Sequence, residues 1–253
     1  MSGEHGSICR MGILARPLFQ TKTGRAGVSI LRVALLAHGI ALAACLAMPS
    51  RVMTQPPSIK IGDAVRRDVR EIYDRGLQFL VSFQTEAGDW KAGGQDGPGA
   101  TGMALIVLLA SGEDPNFGLY SNPVRKALRS IISQQNAATG FFGNSRYHHS
   151  FAMLALAEAY GAEDDRNLWT GSETNRRSIG VSLELAVRAA ITSQNENSLG
   201  AWRYSPNSND ADTSVSGAVL VGLLAARNAG IEVPDEVTDK AIKYITSMTS
   251  DNG

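Results

Sequence analysis

Cysteine is almost missing from this chain: 253 residues contain two, Cys9 and Cys45, both in the first fifty. The remaining body therefore has no disulfide and no thiolate-held metal. Aromatic residues make up only 6% of the chain. A core poor in large rings must be filled by Ala, Leu, Val and Gly, which suits closely packed helices. Net charge is absent too, with 24 basic and 24 acidic residues, but the ends differ. Five basic residues stand against one acid in the first fifty, leaving 19 basic against 23 acidic groups in the body. No stripe dense in Lys or Arg runs through that body, which excludes nucleic acid as a partner. No phosphate-cradling loop is present either, because Gly93-Gly94 and Gly97-Pro98-Gly99 follow no strand.

The longest apolar run, 33–48 (VALLAHGIALAACLAM), is sixteen residues and is interrupted by His38. A spanning helix needs about 20. Behind the basic lead Arg25 and Arg32, the run fits a secretory signal, with Met11 as an alternative start. Leu42-Ala43-Ala44-Cys45 resembles a bacterial lipobox, which would make Cys45 a lipid-attachment site and tether the N-terminus to a membrane. Cleavage after Ala43 or Ala47 is the other reading. Residues 49–61, with Pro49, Pro56 and Pro57, then read as an extended linker. The expected product is exported: periplasmic, secreted or membrane-anchored.

What the body does have is a phrase said about three and a half times. Its first copy is Arg75-Gly76-x2-Phe79-Leu80-x3-Gln84-x3-Gly88-x-Trp90. The second, looser copy has Lys126-Ala127, Ile131-Ile132, Gln134, then Gly140-Phe141-Phe142. The third has Arg188-Ala189, Ile191, Gln194, then Gly200-Ala201-Trp202. A fourth opens at Lys240-Ala241-x2-Tyr244-Ile245.

Two kinds of helix alternate through these copies. One is charged and amphipathic, as in 63–84, where Val65, Val69, Ile72, Leu77, Leu80 and Val81 approximate helical spacing. The other is apolar on nearly all sides, as in 100–111, 149–160 and 213–229. A helix of that second kind is surrounded by protein. Alternation of the two predicts an outer and an inner layer. At each joint, Gln84, Gln134 or Gln194 ends an outer helix and can satisfy open backbone groups. Gly88, Gly140 or Gly200 then turns the chain, and Trp90, Phe142 or Trp202 folds back against the helix ends.

The first copy resembles, position by position, the QW repeat of squalene–hopene cyclases and related terpenoid cyclases. The resemblance covers about residues 62–253 and implies an all-α fold. It implies an α/α toroid of repeated helical hairpins, a fold shared with protein prenyltransferase β subunits. The zinc enzymes of that group need a Cys ligand in the body, and none exists here. A family ring closes with about six hairpins, whereas three and the first helix of a fourth, 235–249, are legible. The expectation is an incomplete ring: a truncated product, or one that needs a second chain to complete it.

Asp210-Ala211-Asp212-Thr213-Ser214 resembles the cyclase motif D-x-D-D-T, with Thr213 where its last Asp should stand. The resemblance makes Asp212 the acid that protonates a terminal alkene and Asp210 part of its support. That chemistry needs a neutral, dry carboxyl group. An Asp before Thr-Ser-Val at a helix start is also a common N-cap. His148-His149 has no partner at metal-ligand spacing and reads as packing or capping; Glu163-Asp164-Asp165 reads as a solvated turn. No metal or cofactor is implied. Two functions follow as expectations. One is a noncatalytic exported toroid whose concave face holds a lipid or isoprenoid, a glycan or a protein. The other is a cyclase acting on a polyprenyl or triterpene substrate from Asp212.

Overall fold

The computed structural model separates residues 1–60 from a unit spanning Ile61–Gly253. It describes residues 66–91, 93–169 and 177–250, and the structural statements below concern these. The expected signal sequence (1–48), Cys45 and the expected linker (49–61) lie outside the described residues.

The described residues are all-helical. In chain order the helices are α1 (Arg67–Phe83), α2 (Pro98–Leu109), α3 (Ser121–Ser133), α4 (Arg146–Ala159), α5 (Asp165–Leu168, a single turn), α6 (Ile179–Asn195), α7 (Thr213–Asn228) and α8 (Asp235–Ser247). Only an isolated antiparallel bridge, Gln135 with Phe142, departs from helix. Local chemistry sets the starts. Pro98 occupies the first position of α2, while Ser145, Ser178 and Asp212 cap α4, α6 and α7 through their side chains.

The three apolar helices pack side by side, α2 on α4 and α4 on α7. They run parallel and very close. A Cβ added at Gly102 of α2 would sit 2.5 Å from the Phe151 carbonyl oxygen of α4, and one at Gly222 of α7 would sit 2.7 Å from Met153 Cε. The amphipathic helices lie against this row. α3 packs on α2, α6 on α4 and α8 on α7, so each rests mainly on the apolar helix preceding it in the chain. Their buried faces supply Val124, Leu128, Ile131 and Ile132 from α3, and Leu183, Val187 and Ala190 from α6. The result is one continuous core.

The joints repeat the same bonds. Gln84 Nε2 donates to the carbonyls of Gly88 (3.1 Å) and Pro123 (2.9 Å). Gln194 Nε2 donates to those of Gly200 (2.9 Å) and Val237 (2.8 Å). Each amide thus fastens the end of one outer helix to its own turn and to the start of the next outer helix. At the second joint the bridging side chain is Gln135 and not Gln134. Gln135 Nε2 donates to Gly140 (2.9 Å) and Ser182 (2.8 Å), whereas Gln134 turns back to Ser130 of its own helix. The reason is helical phase. Gln84, Gln135 and Gln194 each lie one turn beyond a core-facing residue, namely Leu80, Ile131 and Ala190, and Gln134 faces solvent.

The aromatic residues complete each joint. Trp90 Nε1 donates to Leu80 O (2.8 Å) and Trp202 Nε1 to Ala190 O (2.9 Å), equivalent carbonyls of α1 and α6. Phe142 fills the same place fully buried and has no N–H to give.

Candidate functional site

The residues singled out for chemistry gather at the N-terminal ends of the parallel apolar helices. Asp212 caps α7: its Oδ1 accepts from Val215 N (3.0 Å) and from Ser214 Oγ (2.6 Å). These two donors hold its carboxyl below the usual carboxylate range, the Ser214 hydroxyl contributing most. Tyr147 OH lies 2.7 Å from Ser214 Oγ, and its ring meets those of Phe151 and Tyr204. Asp210 points elsewhere, pairing with Arg203 at 3.2 Å on the surface. Its backbone carbonyl accepts from Asn197 Nδ2 (3.0 Å), which ties it to the turn after α6.

This arrangement is opposed to the acid role. A carboxyl that protonates an alkene must keep its own proton, which requires burial and donors to the neutral form only. Asp212 is partly exposed, receives two hydrogen bonds as an anion, and gains nothing from Asp210. The geometry is that of a helix cap, and the assignment of Asp212 and Asp210 to catalysis does not fit it.

His148 and His149 serve two different helices. His148 Nδ1 accepts from Gly99 N (3.3 Å), capping α2, whose own cap residue Gly97 has no side chain. His149 is fully buried. Its Nδ1 accepts from Phe142 N (3.2 Å), so Nε2 carries the proton toward Ala186 O (3.1 Å), and the ring stacks on Phe141 at 4.5 Å. Burial, with the positive charge of Arg146 nearby, pushes its pKa down to about 3. Burial also lowers that of His148.

Two buried charges escaped the sequence reading. Arg146, 1% exposed, lies over the Phe141 ring at 5.1 Å and donates from Nη2 to Pro206 O (3.3 Å), while its Nε and Nη1 have no partner. Burial lowers its pKa to about 10. A basic residue at the head of an apolar helix gave no signal of this. Glu163 lies in an expected solvated turn, yet its carboxylate is buried, 3.8 Å from Arg125. Burial raises its pKa to about 7 against the pull of Arg125.

These groups give the protein a defined pH response. Each histidine binds a proton near pH 6.5 when unfolded but at a lower pH when folded. Their contribution is therefore complete above pH 6.5 and is lost on acidification toward the folded value, about 3 for His149. Glu163 acts in the opposite sense: its raised pKa makes stability fall as pH rises from 4.5 to about 7. Between pH 6.5 and 4.5 the Glu163 gain and the His149 loss oppose each other, each with a limiting slope of about 1.4 kcal/mol per pH unit, so urea unfolding of the wild type is expected to show little net change there. Glu163→Gln removes the opposing titration and should expose a net loss of stability on acidification. An unchanged slope in the variant would refute the Glu163 assignment.

Among the described residues no group of three His, Cys, Asp or Glu side chains is placed to hold a metal ion. A groove of about 410 Å³ lies between α6 and α8, lined by Gln194, Leu199, Lys240, Lys243 and Tyr244 among others. It is a gap between outer helices, remote from the apolar row's open side. That open side carries the apolar surface. Met103 and Val107 of α2 and Val221 and Leu224 of α7 are exposed, and Tyr147, Phe151 and Leu154 of α4 are half-buried between them.

No family model matches this chain, and no curated protein matches it. Among the described residues no helix is long and apolar enough to cross a membrane.

Proposed function

We propose that this chain is an exported, noncatalytic repeat protein of the α/α-toroid type that binds an apolar ligand on its inner face. The observation that carries the reading is the uncharged stripe on each apolar helix: Met103 and Val107, then Tyr147, Phe151 and Leu154, then Val221 and Leu224. Glycine contacts hold these helices together, so the stripes form a preformed surface. An uncharged, largely aliphatic surface selects an apolar partner, a lipid or isoprenoid chain ahead of a glycan. The Tyr147–Ser214–Asp212 chain of hydrogen bonds supplies a polar end for a headgroup.

The cyclase reading is weaker because its acid would be Asp212, whose carboxylate is engaged as a cap. Titration with a fluorescent acyl or prenyl probe tests the proposal. Met103→Glu combined with Val221→Glu should weaken binding at least about tenfold, the effect of some 1.4 kcal/mol. Probe binding indifferent to the double variant would overturn the reading. Conversion of squalene that disappears in Asp212→Asn would restore the enzyme.

A further inference from the structure

Helix α1 carries two apolar faces, and only one is used. Counting back from the joint glutamine aligns α1 with α3 and α6. Leu77, Leu80 and Val81 of α1 then take the core places of Leu128, Ile131 and Ile132 in α3, and of Val187, Ala190 and Ile191 in α6. The second face comprises Val69, Ile72, Gly76, Phe79 and Phe83, spaced 3, 4, 3 and 4 residues apart. That is the spacing of a helix–helix seam. Its large residues are exposed: Val69 50%, Ile72 62%, Phe79 58% and Phe83 62%.

The same register shows that this face was not shaped for a neighbouring repeat. Where α1 has Phe79, α3 has Ser130 and α6 has Ala189; where it has Phe83, α3 has the exposed Gln134 and α6 has Ser193. Ser130 and Ser193 are buried, small residues at those places. Two phenylalanines there, with ring centroids 4.3 Å apart, are too bulky for that kind of contact. They suit a surface that docks on something else.

We infer that α1 pairs, antiparallel, with α1 of a second copy of this chain about a two-fold axis at Gly76. The seam is centred on Gly76 and complements itself. In the pair, Val69 faces Phe83 and Gly76 faces its own copy; Ile72 and Phe79, four and three residues from the axis, meet with an offset of one residue, about 1.5 Å. A branched aliphatic thus meets a ring at each level, and the smallest residue lies where the backbones come closest. Space beside Gly76 is open, with no atom within 4 Å of a Cβ placed there. At about 150–250 Å² for each aromatic residue, the exposed seam amounts to about 500 Å² per copy. The pair therefore buries about 1,000 Å², where specific interfaces begin. Self-complementarity of one patch is what a two-fold dimer requires. The inference is independent of what the inner face binds.

Sedimentation equilibrium on the full chain tests it. The wild type should dimerise in the micromolar range, and Phe79→Glu with Phe83→Glu should weaken dimerisation at least about a hundredfold. Circular dichroism should show the helices intact in that variant, since both rings are exposed. Orientation is read by mild oxidation in a Cys9→Ser, Cys45→Ser background. Gly76→Cys should cross-link to its copy, and Val69→Cys alone should not. A chain that stays monomeric at all concentrations overturns the inference, as does a dimer indifferent to the two glutamates. Cross-linking through Val69→Cys alone would overturn the antiparallel arrangement.

Discussion

Replacing Trp202 by alanine should lower the unfolding free energy by about 3–5 kcal/mol, the range for deleting a buried aromatic residue. Trp202 is 1% exposed and among the largest fully buried side chains described. It touches three parts of one joint at once. Its ring lies in the core, its Nε1 donates to Ala190 O of α6 (2.9 Å), and its backbone exchanges hydrogen bonds with Ser216 Oγ of α7 (3.0 Å each way). The cavity left behind cannot close easily, because α6 and α7 are held by those same bonds. For a body of this size, 1 kcal/mol corresponds to roughly 2–4 °C in Tm, so a fall of about 6–20 °C is expected. Trp202→Phe keeps most of the volume and loses one hydrogen bond, which should cost about 1 kcal/mol beyond the smaller ring's lost contacts. Urea unfolding of both variants gives the comparison. Equal losses would show that the hydrogen bond and not the packing holds the joint.

Gly88→Ala should be about as damaging, for a different reason. Its φ is +86°, a backbone state that side chains disfavour, and its α-carbon lies against α3. An added Cβ would sit 2.2 Å from the carbonyl oxygen of Lys126. Neither atom can rotate away, so α3 must shift and strain the Gln84 bond to Pro123. A loss of at least about 3 kcal/mol follows, within the range for strain combined with overpacking. Gly140→Ala should match it, since the added Cβ meets Leu185 O at 2.4 Å. Gly200→Ala provides the contrast. There φ is +65°, but the nearest atom is the Lys240 Cβ at 3.2 Å. Only the conformational cost of about 1–2 kcal/mol should appear. If all three alanines cost the same, conformation alone explains the glycines and the close approach is irrelevant.

The joints were largely legible because the repeat states them more than once. Gln84, Gly88 and Trp90 recur as Gln194, Gly200 and Trp202, and repetition of a costly backbone position has few causes besides a turn. The second joint was misread by one residue because Gln134 and Gln135 are neighbours of the same type. Counting helical phase from Ile131 separates them; counting matches to the phrase does not. Alternation of amphipathic and apolar segments likewise announced the two kinds of helix, but the apolar row is not surrounded: Met103, Val107, Val221 and Leu224 stay exposed on its open side.

Around Asp212 the residues were visible but their use was not. The same letters can describe a cap or an acid, and only the donors around the carboxyl distinguish them. Ser214 Oγ and Val215 N both point at Oδ1, which holds Asp212 ionised. Glu163 reversed expectation more sharply. Its acidic neighbours suggested water, yet the chain folds its carboxylate beneath Arg125. Burial of a charge depends on segments far apart in sequence, so no local pattern reports it.

The one-dimensional order of residues set the helices, their alternation and the chemistry of the turns, because those follow from periodicity and from neighbours a few positions away. Packing in three dimensions assigned the rest. It gave the second bridge to Gln135, made Asp212 a cap, and buried Arg146 and Glu163 without complete pairing. It also left a row of large apolar residues on α1 facing outward. Apart from the Asp212 cap, which closes within three residues, these depend on distances between segments far apart in the chain, set in part by how closely glycine lets the backbones approach.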